Sequence, residues 1–308
     1  MKWAALFHEP ASNQNQWSTP KGLIAQVHKL GVEVINLPFK EPESNFFPDI
    51  EQVVSLGADA IIIFYAGQSR PLEQWMAALR VAIDRQGKKI VIVSELGDEP
   101  QTQGSNAVRA QLSDLCITPD VECASFWRNL GCDAHWLTHW ADEQIFYRNQ
   151  SCEKKNLVAT TVGKRKYVWM LRLLFGRVFV NRTCNGIENN SFYNSALIAF
   201  QYARWGEVTR RIFEAGACGC CVFTNRLNHK KCLEDIFEDG KSIVLYRNRL
   251  DLIMKLIKYL YLESAEAKRI GNHAAIVIER HHTASARARL LLNIVEKKIS
   301  GEAPDQNL

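Results

Sequence analysis

Arg210, Arg211 and Glu214 lie within five residues of one another, just ahead of the small apolar run GACGCCVFT at 216–224. Paired arginines at a helix start suit a diphosphate, because free first-turn amides and the helix dipole add to the guanidinium charge. A glutamate one turn on is placed to hold a sugar hydroxyl. Positions 211 and 214 also have the i,i+3 spacing of a surface ion pair, and charge alone does not separate the two readings. In favour of a site, the charged trio runs straight into a segment whose composition demands burial.

Other groups carry less chemistry. Thr161-Val162-Gly163-Lys164-Arg165-Lys166 follows a strand and opens a helix, so its amides and three cations suit a phosphate, although one glycine does not make a phosphate-binding loop. Glu238-Asp239-Gly240-Lys241 reads as a turn. Cys218, Cys220 and Cys221 lack the second ligand pair a metal site needs and read as packing thiols. Neighbours His281 and His282 face apart on a helix and do not share a metal.

The elements that must position these groups alternate strand and helix. KWAALF (2–7), VEVINLPF (32–39), ADAIIIFYAG (58–67), KKIVIVSEL (88–96), LCITP (115–119) and AHWLTHW (134–140) read as strands. Between them 20–30, 49–56, 71–85, 107–112 and 123–130 have helical spacing or helix-stop glycines. Asp142–Asn156 is polar and reads as a linker. A second alternation follows: strands LVATTV, RVFVN, CCVFTN and SIVLY, a new element starting at 193–199, and helices at 167–175, 208–217, 231–237, 250–262, 265–281 and 283–298. Near-continuous apolar strands alternating with helices predict parallel sheets covered on both faces. The class is α/β, with one domain over 1–147, a second over 148–298, and a polar tail over 299–308. Ligands of such sheets sit beyond the carboxyl ends of strands, which in the first half are His8-Glu9, Tyr65–Gly67, Glu95–Glu99 and Thr118–Asp120.

Composition sets the bounds. The chain has 308 residues, enough for two domains of roughly 150 each. It is 47% hydrophobic and 23% charged, an ordinary globular balance. No apolar run approaches the ~20 residues of a membrane span, and the N-terminus lacks the pattern of a signal peptide. Nine irregularly spaced cysteines suit a reduced, cytoplasmic protein. The net charge of +5 is unevenly shared: residues 1–147 hold 11 Lys+Arg and 18 Asp+Glu, whereas residues 148–308 hold 27 and 15. The basic half is the better home for an anionic ligand.

Arg211-Ile-Phe-Glu214-Ala-Gly-Ala-Cys-Gly219 resembles the signature of the glycosyl transferases group 1 in its CgeB-like form. The resemblance continues through CVFTN, Phe237–Tyr246, the LIMKLIKYL helix and His282-Thr283. Upstream it takes in Tyr193-Asn194-Ser195 and Arg204-Trp205-Gly206. It is good over about 190–295, looser over 57–165, and reduced to element order in the first 50 residues. It implies a GT-B fold: two Rossmann-like domains with parallel sheets facing across a cleft, and C-terminal helices returning toward the N-terminal domain. The donor domain would be C-terminal and the acceptor side N-terminal.

By the same resemblance the protein is an enzyme moving a hexose or pentose from a nucleotide-diphosphate donor to a hydroxyl, with retention and without a metal or other cofactor. Glu214 would bind the donor ribose and Arg211 the diphosphate. Lys164, Arg165 or Lys166, on the loop of Gly163, would face that diphosphate, as would the amides near Val208 and Thr209. Tyr193 and Asn194 precede the motif. The first glutamate of the usual E-x7-E pair falls on Gly206, with Glu207 one place off. An inverting enzyme would need a base, for which His8, Glu95, Asp98 and Glu99 are candidates. The acceptor stays open between glycan, small molecule, protein and a hydroxymethylated base in DNA. A non-catalytic nucleotide-sugar binder is the remaining alternative.

Overall fold

The structure, a computed structural model, describes residues 1–8, 19–39, 47–66, 69–161, 166–182, 186–204, 206–227 and 233–302. It divides into two compact units, one of residues 1–138 with 287–308, the other of residues 139–286. The boundary therefore lies nine residues before the one expected at 147/148, and the end of the chain groups with the first unit.

In the first unit, β1 (Lys2–His8), β2 (Glu33–Phe39), β3 (Ala60–Ala66), β4 (Val91–Gly97), β5 (Leu115–Thr118) and β6 (Ala134–Trp136) form one parallel sheet in the order β2-β1-β3-β4-β5-β6. The intervening helices are α1 (Thr19–Lys29), α2 (Ile50–Ser55), α3 (Arg70–Arg85), α4 (Gln103–Leu112) and α5 (Val121–Asn129). Side-chain caps start several of them: Ser69 accepts from Leu72 N at 3.3 Å and Asp120 from Cys123 N at 3.2 Å. β5 is buried at all four positions, as a strand covered on both faces must be. The end of the chain is tied here by Lys298, whose ammonium lies 2.8 Å from Asp133.

In the second unit, β7 (Lys155–Thr160), β8 (Phe179–Asn181), β9 (Ala196–Phe200), β10 (Cys221–Asn225) and β11 (Val244–Tyr246) form a parallel sheet in the order β11-β10-β9-β7-β8. Helices α6 (Lys166–Phe175), α7 (Gly186–Asn194), α8 (Arg210–Ala217), α9 (Arg249–Ile257), α10 (Ser264–His281) and α11 (Ala284–Ser300) complete the chain order, α11 crossing from the second unit into the first at residue 287. A wide helical turn at Lys258–Leu262 extends α9.

Three local expectations change. The element starting near 193 is the end of α7, followed by the fully buried strand β9. Leu233–Ile236 form turns rather than a helix, residues 228–232 lying outside those described. The polar stretch expected as a linker is packed down: Asn194 accepts from Asn149 N at 2.8 Å and donates to Tyr147 O at 2.9 Å. Glu143 caps the start of α11 by accepting from Ala284 N at 2.9 Å.

Candidate functional site

The strand order of the second sheet reverses between β7 and β9, and the carboxyl ends of such a pair open onto a natural ligand crevice. Thr161 follows β7 and Gln201 follows β9. Tyr193, at the end of α7, brings the two together: its hydroxyl lies 3.1 Å from Thr161 Oγ1 and accepts from Gln201 Nε2 at 3.3 Å. Burial and the charge of Glu214 push this phenol well above its ordinary range, so it stays protonated.

The segment leading from β9 to α8 is held by its neighbours. Asn225 accepts from Ala203 N at 2.8 Å and donates to Ala203 O at 3.2 Å, while the Tyr246 hydroxyl donates to Gln201 O at 3.2 Å. The chain then turns through Gly206 at φ +75°. This left-handed conformation favours glycine, which accounts for the missing first glutamate in backbone terms. Space does not forbid a side chain, since a Cβ there meets nothing within 4 Å.

α8 begins at Arg210, with Thr209 as its N-cap. The Thr209 side chain makes no capping bond, and its buried hydroxyl has no partner among the described residues. The start of α8 is thus an uncapped positive end. One turn on, Glu214 is 5% exposed, and the influences on its carboxyl are desolvation and the charges of Arg210 and Arg211. Burial pushes this carboxyl above the usual range; Arg210 first and Arg211 second pull it back. Desolvation of this carboxyl is unfavourable, and ligand hydroxyls would offset it.

Arg210 also opposes protonation of His139, whose imidazole is pushed down to about 3, chiefly by burial. The native state therefore refuses a proton that the unfolded chain accepts at its ordinary 6.5. Stability is lost as pH falls from 6.5 toward 3. A urea-midpoint series across that window is expected to show a shallower acid slope in His139→Gln than in the parent, and identical slopes would contradict the assignment.

The expected site residues divide as follows. Glu214, Thr209 and Val208 come together at the start of α8, with Glu207 half-buried beside them. Arg211 is exposed on the first turn, whereas Arg210 is half-buried and is the stronger influence on Glu214. Arg210, His139, Thr161 and Gln201 join the cluster although the motif did not single them out. Tyr193 contributes its hydroxyl from a fully buried ring, but Asn194 spends its amide on Tyr147, Asn149 and Asn190. Gly163, Lys164 and Arg165 lie outside the described residues, as does the side chain of Lys166.

In the first unit His8 ends β1, Glu95 is half-buried within β4, and Asp98 is exposed at φ 56° just beyond it. Glu99 is not free to act as a base. It is fully buried and accepts from Trp127 Nε1 at 2.7 Å, Thr118 Oγ1 at 2.8 Å and Asn106 Nδ2 at 3.0 Å, a clamp across α4, β5 and α5.

The remaining motifs are structural. Cys220 Sγ donates to Tyr193 O at 3.0 Å and Cys218 Sγ to Asn190 Oδ1 at 3.2 Å, and burial pushes both thiols up. Asp239 accepts from Leu245 N at 2.9 Å and pairs with Arg226, so the Glu-Asp-Gly-Lys segment is a braced turn. Among the described residues no helix is long and apolar enough to cross a membrane.

Residues 150–293 match the model of the glycosyl transferase-like family, a little under half of the chain. No curated protein sequence matches it. Among solved structures, the chain is similar to sucrose-phosphate synthase from Thermosynechococcus elongatus, with a TM-score of 0.66 at 10% identity, covering 98% of this chain and 100% of that one. It is likewise similar to HepE from Anabaena, solved with UDP and glucose, with a TM-score of 0.68 at 11% identity, covering 96% and 100%. A third is an alpha-glucosyltransferase solved with UDP-glucose and DNA containing an abasic site, with a TM-score of 0.66 at 10% identity, covering 96% and 100%. The two parallel α/β units are those of the GT-B fold. The family match over residues 150–293 thus falls within a chain of GT-B fold.

Proposed function

We propose that the second unit binds a nucleoside diphosphate sugar beyond the carboxyl ends of β7 and β9, and that the enzyme transfers the sugar to a hydroxyl acceptor with retention and without a metal. The carrying observation is the carboxyl of the buried Glu214, pushed up by desolvation one turn below an uncapped helix start. HepE and the alpha-glucosyltransferase are each solved with UDP or UDP-glucose, which supports a donor of this class.

On this reading Glu214 accepts from the two ribose hydroxyls. The diphosphate meets the amides at the start of α8, the Thr209 hydroxyl and Arg210, with Lys164 and Arg165 as further cations. As the bond to the anomeric carbon breaks, charge grows on the leaving diphosphate, and these fixed donors stabilise it without reorganising. In a retaining reaction that diphosphate takes the acceptor proton. Under inversion a first-unit carboxylate or imidazole, with His8, Glu95 and Asp98 the candidates, would do so.

The test is a thermal-shift and donor-hydrolysis screen over UDP, GDP and ADP and their glucose conjugates. At least one nucleotide is expected to raise Tm by several degrees. Arg210→Ala should weaken that nucleotide on the order of tenfold or more, the loss of one charged hydrogen bond, while the exposed Arg211→Ala has a smaller effect. The proposal fails if no nucleoside diphosphate shifts Tm.

A further inference from the structure

The second unit carries an apolar surface that its own chemistry does not use. On α6, Trp169 is 70% and Leu173 69% exposed, one helical turn apart. On α9 and its extension, Leu250, Met254, Tyr261 and Leu262 are 56–76% exposed. These side chains stand out because their helices are amphipathic in an unusual sense. The inner faces are fully used, with Val168, Leu171 and Phe175 of α6 and Leu252, Leu256 and Leu260 of the α9 segment sharing one core. The outer faces are apolar where solvent would favour charge.

The two helices approach each other at their starts. The Arg249 guanidinium at the start of α9 lies 5.3 Å from the ring centre of Tyr167 at the start of α6. Basic charge is in excess over this face. Arg172, Arg177, Arg247, Arg249 and Lys258 are exposed, against Asp251, half-buried and 3.3 Å from Lys255, and Glu263, 3.3 Å from Lys258. An exposed tryptophan and tyrosine among leucines, framed by arginines, fits the boundary between lipid headgroups and acyl chains.

We infer that this α6–α9 face seats the protein on an anionic phospholipid bilayer, the aliphatic and aromatic side chains entering the interface and the basic ones meeting the headgroups. A second copy of the chain is the poorer occupant, because pairing the face with itself brings the arginines together. Nucleic acid would engage the cations but gain little from Leu173, Leu250 and Met254.

Flotation of the full chain with vesicles of phosphatidylcholine, with and without phosphatidylglycerol, tests the proposal. The protein is expected to float with the anionic vesicles and to be released by salt. Arg172→Gln with Arg177→Gln should lower partitioning about fivefold per charge. Trp169→Ser with Leu173→Ser, and separately Leu250→Ser with Met254→Ser, should each reduce it at least tenfold with unchanged circular dichroism. Absence of flotation, or flotation equal in parent and variants, overturns the proposal. So does a dimer in gel filtration that Trp169→Ser with Leu173→Ser converts to monomer, or retention on duplex DNA that the apolar variants abolish. None of these readouts depends on donor binding.

Discussion

Glu214→Gln is expected to melt at a higher temperature than the parent at neutral pH while losing nucleoside diphosphate affinity on the order of 100-fold. Both effects come from one environment. Glu214 is buried, and desolvation pushes its carboxyl up more than Arg210 and Arg211 pull it down. A carboxyl raised in the native state holds its proton where the unfolded chain has already released it. Native stability therefore falls as pH rises above the ordinary 4.5, and that fall disappears when an amide replaces the acid. The advantage of the variant should be absent near pH 4 and open as pH increases. Binding moves the other way, because an ionised carboxylate accepting two ribose hydroxyls contributes about 1.5–3 kcal/mol per charge-assisted bond, and the amide keeps one acceptor. Calorimetric melting from pH 4 to 8, with nucleotide titration at pH 7.5, checks both. A variant that melts lower throughout and binds normally would remove Glu214 from the site.

The sequence carried most of the fold because parallel strands covered on both faces must be apolar at nearly every position. β3 (AIIIFYA) and β9 (ALIAF) are legible for that reason, and helix periodicity between strands supplied α3, α9 and α10. α7 escaped because GIENNSFYN has no apolar stripe. Its buried Asn190 and Asn194 are accommodated by hydrogen bonds to residues 147 and 149, partners no local window contains. The grouping of residues 287–308 with the first unit was equally invisible, since periodicity identifies a helix and not the core it joins. Around α8 the buried Glu214 was legible through its motif, whereas the different exposure of Arg210 and Arg211 was not, because it depends on register. The sequence suggested a helix from 208; the helix starts at 210, with Arg211 exposed and Arg210 half-buried, both acting on Glu214. His139, 71 residues earlier, had no local signal at all.

Gly271→Ala is expected to destabilise the protein by about 2–3 kcal/mol, against a helix-propensity gain of about 1 kcal/mol that would appear at an unconstrained position. Gly271 lies within α10 where that helix rides on the backbone joining α8 to β10. A Cβ there would collide with the carbonyl oxygen of Gly219 and stand 2.9 Å from both the carbonyl carbon of Cys220 and the nitrogen of Cys221. Backbone on both sides leaves no side chain free to yield, so α10 must lift or the 219–221 segment must shift. Gly216 in α8 is the internal control. Its added Cβ would meet the Ile278 Cδ1 methyl at 2.5 Å, a side-chain terminus that can rotate away, so Gly216→Ala should cost about 1 kcal/mol. Because the 219–221 segment follows directly from α8, displacing it moves the helix that presents Arg210 and Glu214. Gly271→Ala should therefore weaken nucleotide binding as well as the fold, even at temperatures where the variant remains folded. Urea unfolding of both variants, with nucleotide titration at 10 °C below each variant's own Tm, separates the two effects; equal and mild losses at 216 and 271 would show that α10 does not bear on α8 in this way.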